Sequence, residues 1–98
     1  MDKIIMAAAA ATLNINVDMQ NVERDGDIIN AVFKVESSEL YKTVFVECAF
    51  LDKDKRALDV GVKPIANLQP NSERYGKISI VRKSDDVVSA KCYVDTYN

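Results

Sequence analysis

The chain has no histidine and no tryptophan, and only three glycines, two prolines and two cysteines in 98 residues. Each shortage closes a branch of chemistry. Without histidine there is no Ser-His or Cys-His couple and no imidazole metal ligand within the chain. Gly26, Gly61 and Gly76 lie too far apart to build a glycine-rich loop around a phosphate. Cys48 and Cys92 have neither CxxC spacing nor imidazole partners, which excludes an ordinary zinc site. They are either buried free thiols acting as small hydrophobes or one disulfide between strands, and the sequence leaves both open. The formal charge of −2 is mild and mixed along the chain, so no basic surface for nucleic acid is expected. The densest basic group, Lys53, Lys55 and Arg56, is interleaved with Asp52 and Asp54 and reads as a solvated turn.

What is present suits one small folded domain. Apolar residues make up 48% of the chain, enough to offset the entropy of ordering it around one core. The first twelve residues differ from the rest. Lys3 precedes Ile4, Ile5, Met6 and the run Ala7 to Ala11, a basic start, short apolar stretch and small residues like those of a secretory signal. A vector-derived tail or a short alanine-rich helix fits the same residues. The apolar run is too short to span a bilayer, so no membrane span is expected. The domain proper is assigned to residues 13–98.

From Leu13 the hydrophobic period becomes two. Leu13, Ile15, Val17 and Met19 alternate with polar residues, which predicts a half-buried strand. Asp25-Gly26 is a hairpin signal, because glycine takes positive φ without a Cβ clash. Ile29, Ala31, Phe33 and Val35 then share a face. Tyr41 to Leu51 is apolar on both sides, with Val44, Val46, Cys48 and Phe50 on one face, which predicts a central strand. Leu58, Val60 and Val62 alternate next, and Pro64 marks that strand as short or at an edge. Ile78 and Ile80, then Val88, Ala90, Cys92 and Val94, complete the pattern. Short strands at regular spacing with turn punctuation predict an all-β fold, an immunoglobulin-like antiparallel β-sandwich of six to seven strands. The expected core is Ile15, Val17, Phe33, Val35, Val44, Val46, Cys48, Phe50, Leu58, Val60, Leu68, Ile78, Ile80, Val88, Ala90 and Cys92.

The stretch 37–75 resembles the FxLYD family of bacterial immunoglobulin-like domains. Ser37-Ser38, Tyr41, Val44, Val46, Cys48, Phe50, Leu51 and Asp52 follow its polar turn, aromatic, Val-x-Val strand and terminal Asp. Leu58, Leu68, Pro70, Glu73 and Tyr75 continue the pattern. Cys48, Phe50 and Leu51 stand where that family favours Phe, Leu and Tyr, and Asn71 replaces the glycine after Pro70. Asn tolerates the left-handed geometry that the turn needs. The resemblance implies an exported or surface-anchored accessory domain and brings no catalytic residue with it.

Candidate chemistry is sparse. Asp52 and Asp54, with Glu47 and Asp59 nearby, suggest a calcium loop, but Lys53, Lys55 and Arg56 put positive charge where the cation would sit. A pair of carboxylates for glycoside hydrolysis would need a cleft that a domain of this size has little room to form. Asp85 and Asp86 read as turn formers. No cofactor, no metal and no catalytic residue is expected, and the chain is not expected to be an enzyme. Tyrosine joins a large apolar body to a polar tip, so Tyr93 and Tyr97, placed on one face of the last strand, together with Phe45, are the expected interaction surface. The expected function is a binding or assembly module, periplasmic or secreted, engaging a protein partner or a second copy through a sheet face or edge. The alternatives are a spacer domain with no ligand of its own and, less in keeping with the composition, a small enzyme.

Overall fold

A computed structural model describes residues 14–98. The signal-like or vector-derived segment 1–12 lies outside the described residues. Six strands follow one another: β1 (Ile15–Asp25), β2 (Ile28–Ser37), β3 (Tyr41–Leu51), β4 (Ala57–Leu68), β5 (Glu73–Val81) and β6 (Ser89–Tyr97). They form two antiparallel three-stranded sheets, ordered β1-β2-β5 and β4-β3-β6. Packed face to face, these make the β-sandwich. In strand order the sheets match strands A-B-E and C′-C-F of immunoglobulin domains. Among the described residues, no further strand pairs with β6 on its far side.

Local chemistry sets the corners. Asp25 pairs directly with Ile28, leaving a two-residue turn in which Gly26 takes φ 62°. The chain crosses between sheets at Ser37 to Leu40. There the buried Ser37 hydroxyl donates to the Glu39 carbonyl (2.7 Å) and accepts from the Glu39 N–H (2.9 Å). Such a closed side-chain turn satisfies backbone groups that the sheets no longer pair. Asn71 takes φ 58° after Pro70, the left-handed conformation for which asparagine is suited.

The core fills the space between the sheets. Phe33 and Val35 from β2 meet Val44, Val46, Cys48 and Phe50 from β3, all fully buried. Each large side chain removed from water there stabilises the fold by ~1.5–3 kcal/mol. Ile29, Ala31 and Ile65 join this core as well.

Three expected core residues, Leu58, Val60 and Val88, lie outside it. Val60 and its outward neighbour Val62 are 46% and 51% exposed. The reason is register: Gly61 pairs with the inward-facing Cys48, so its neighbours point outward. Gly61 holds the inward position because a Cβ there would lie 2.4 Å from Ile78 Cγ2. Val88 is also exposed, because β6 begins after it, at Ser89. β4 does lie at a sheet edge, but it is long, and it runs through Pro64. Asn67, at φ 52°, breaks its alternation, so Ile65 and Leu68, three positions apart, are both buried.

Candidate interaction surface

The outer face of the β4-β3-β6 sheet is built by the same registers. Across it, Pro64, Phe45 and Thr96 form one row; Val62, Glu47 and Tyr93 the next; Val60, Ala49 and Lys91 a third. Val60, Val62 and Pro64 are exposed, Phe45 is half-buried, and Tyr93 is a little over a third exposed. The result is an apolar stripe along β4 and β3, bordered by polar residues of β6. The opposite outer face is different. Asp18, Asn21, Glu23, Lys34, Lys77 and Ser79 occupy it by register, with Lys34 Nζ 3.5 Å from the Glu73 carboxylate. The first sheet's outer face is mostly polar, with Tyr75, Val81 and Ile28 exposed along β5 and at the start of β2, whereas the second sheet groups its exposed valines in one stripe beside Phe45.

The face has one charged group at its centre. Tyr93 Oη donates a hydrogen bond to Glu47 Oε2. That bond to a carboxylate, more than burial, holds the phenol above its usual range. Glu47 is thereby tied down within the apolar stripe rather than extended into water.

Phe45 and Tyr93 lie on this face, but Tyr97 does not. A bulge at Asp95 shifts the β3–β6 register, so that Thr96 pairs with Phe45 and Tyr97 pairs with the inward Val44. The Tyr97 ring instead meets Tyr41 edge-to-face at 5.3 Å at the end of the sheet. The sequence reading placed Tyr93 and Tyr97 on a common face and missed Val60, Val62 and Pro64. Beneath the face, Cys48 and Cys92 are buried cross-strand neighbours, their sulfurs bonded at 2.03 Å and their Cα atoms 4.1 Å apart. This bond lies within one sheet, unlike the bond between sheets of antibody domains.

The acidic loops hold themselves together. Asp52 Oδ1 accepts from the backbone N–H of Asp54 (2.8 Å) and of Arg56 (2.9 Å), and Oδ2 accepts from Arg56 Nε (3.1 Å). These bonds, the Arg56 N–H foremost, pull the Asp52 carboxyl below its ordinary range, and they hold Lys55 at φ 64°. Asp59 accepts from the Val60 N–H, and Glu47 accepts from Tyr93. The four carboxylates considered for calcium do not converge, and no metal-holding acidic cluster occurs among the described residues. At the same end, Arg82 forks onto Asp86 at 2.8 and 2.9 Å, and Arg24 donates to the carbonyls of Gly26, Arg82 and Ser84.

The Arg82 fork depresses the Asp86 carboxyl strongly, which gives a pH prediction. A carboxylate depressed in the folded state adds stability that is complete above its unfolded value, ~3.9, and is lost as pH falls through the folded value. Melting temperature should therefore fall steadily below about pH 4. Asp86→Asn should make that descent shallower, as followed by circular dichroism. An unchanged slope would remove Asp86 from the account.

These features define a small β-sandwich with one apolar outer face and no assembled catalytic or metal centre among the described residues. No family model matches the chain, and no curated protein matches it in sequence. Its fold is similar to that of a DUF1425 family member from Shewanella sp. pv-4, at 12% identity and TM-score 0.64 over 84% of this chain and 77% of that one. It is also similar to IrmA from Escherichia coli, at 12% identity and TM-score 0.58 over 87% of this chain and 80% of that one. A β-glucosidase from Kluyveromyces marxianus matches at 14% identity and TM-score 0.56, over 89% of this chain but 14% of the larger protein. At such identities the likeness shows the sandwich fold alone. Neither of the two neighbours matched over most of their length bears an enzyme's name. No helix among the described residues is long and apolar enough to cross a membrane.

Proposed function

We propose that the domain is an exported, non-enzymatic protein-binding module that docks through the outer face of the β4-β3-β6 sheet. The observation that carries this reading is the exposed stripe of Val60, Val62 and Pro64 beside Phe45, on successive cross-strand rows of one sheet, while the other outer face is mostly polar. Exposed apolar side chains grouped on one face mark a surface that another molecule covers. Export is supported by the bonded Cys48–Cys92 pair, since such bonds persist in oxidising compartments. The signal-like pattern of residues 1–12 and the FxLYD-like pattern of 37–75 support it as well.

The test is site-specific. A photo-crosslinking residue at Val62 should capture a protein from an extract of the source cell, and the same residue at Asn21, on the mostly polar face, should not. Val62→Glu should weaken that capture by about tenfold or more, because it puts a charge into a desolvated contact. The variant's melting temperature should stay close to that of the wild type, since Val62 already faces water. Equal capture from both faces, or full binding by Val62→Glu, would overturn the reading.

A further inference from the structure

Among the described residues, four strands of the sandwich have an open edge: β1 and β5 in one sheet, β4 and β6 in the other. Three of them are interrupted. β1 is bulged between Met19 and Asn21, β6 at Asp95, and β4 carries Pro64 and an irregularity opposite Phe50 and Leu51. Bulges and prolines are devices that stop an edge from pairing with another chain. β5 has neither. Its ladder with β2 runs unbroken from Ile28↔Val81 to Glu36↔Glu73.

The phase of that ladder tells which groups face outward. The Arg82 N–H donates to the Asp27 carbonyl at 2.7 Å, one step beyond the Ile28↔Val81 pair. Backbone direction alternates along an antiparallel strand, so Arg74, Gly76, Ile78 and Ile80 bond to β2. Glu73, Tyr75, Lys77 and Ser79 therefore turn N–H and C=O toward the open edge. Tyr75 is 63% exposed there. Arg74 reaches under the edge to the Ala66 carbonyl of β4 at 3.0 Å, which closes the sandwich below without pairing the backbone of β5.

We infer that the β5 edge is a self-association surface and that its partner is a second copy of this chain. Charge complementarity along β5 identifies that partner. In Glu73-Arg74-Tyr75-Gly76-Lys77, the acid and the base lie at equal distances on either side of Tyr75. Antiparallel pairing about a two-fold axis at Tyr75 sets each Glu73 opposite the other copy's Lys77, with the tyrosines facing each other. Pairing centred on Lys77 would oppose two lysines, and pairing centred on Gly76 would leave Glu73 opposite Ser79. Lys77 makes no ion pair among the described residues, and Glu73, although 3.5 Å from Lys34, keeps 50% of its side chain exposed to meet a second lysine. The assembly is one continuous sheet, β1-β2-β5 from each copy, and the apolar face of the other sheet stays open.

Sedimentation velocity of the full chain, from micromolar to millimolar concentration, tests this. The wild type should convert from monomer to dimer as concentration rises. Glu73→Lys or Lys77→Glu alone should each weaken the dimer by about tenfold, because both cross-strand pairs become like charges. The double variant, Glu73→Lys with Lys77→Glu, should restore the wild-type constant, a recovery that mere destabilisation cannot produce. Val62→Glu should leave the dimer intact, which separates this edge from the proposed docking face. A wild type that stays monomeric, a double variant no better than the singles, or a dimer lost in Val62→Glu would each overturn the inference.

Discussion

Replacing both cysteines, Cys48→Ala with Cys92→Ala, is expected to lower the unfolding free energy by ~2–4 kcal/mol and the melting temperature by ~10–30 °C. The bond joins β6, an edge strand, to β3, the central strand of its sheet, and spans 44 residues of sequence. In the unfolded chain that link removes the entropy of a long loop, a term that grows only slowly with length but is already large at this one. In the folded chain the link adds little constraint, because the two residues are cross-strand neighbours in any case. Both sulfurs lie within the core, so reductant should reach them only when β6 opens. Reduction of the folded protein should therefore be slow, and the reduced wild type should melt close to the double-alanine variant. Denaturing calorimetry with and without reductant checks the size. Thiol titration of the unfolded, unreduced protein checks the pairing. A double-alanine variant that melts with the oxidised wild type would show that the link does not restrain the unfolded chain.

Where the sequence rhythm was strict, the strands could be read from it directly. The alternation from Ile28 to Glu36 and the two-sided run from Tyr41 to Leu51 became β2 and the central strand β3. What could not be read was parity wherever a backbone irregularity intervenes. Nothing in Leu58-Asp59-Val60-Gly61-Val62 says that the glycine, and not the valines, faces inward. That choice is made by Ile78, which occupies the space a Cβ at Gly61 would need. The bulge at Asp95 is equally silent, and it alone separates Tyr93 from Tyr97. The apolar face was therefore half visible: Phe45 and Tyr93 were legible, while Val60 looked like core. The partner of each cysteine also depended on register, since only the alignment of β3 with β6 brings positions 48 and 92 together.

A second glycine gives the other large effect. Gly76 pairs with Phe33, and the ring of Phe33 lies where a side chain at 76 would begin. A Cβ placed there would be 2.4 Å from Phe33 Cζ and 2.9 Å from Cε1. Phe33 is fully buried within the core, so its ring can yield only by displacing other core side chains. In an ordinary strand position Gly→Ala reduces backbone entropy loss and helps by ~0.5–1 kcal/mol. Here overpacking wins, and Gly76→Ala should cost ~1–3 kcal/mol, with Gly76→Val worse. Phe33→Ala should cost ~3–5 kcal/mol, because it empties the centre of the core. The decisive measurement is the double variant. With the ring gone, alanine at 76 meets no obstacle and fills part of the void, so adding Gly76→Ala to Phe33→Ala should cost nothing or restore a little stability. Urea unfolding of the four proteins would show a coupling of ~1–3 kcal/mol. Strict additivity would mean that the ring does not rest on the glycine, and that the β2–β5 register is not the one that places Phe33 at the heart of the sandwich.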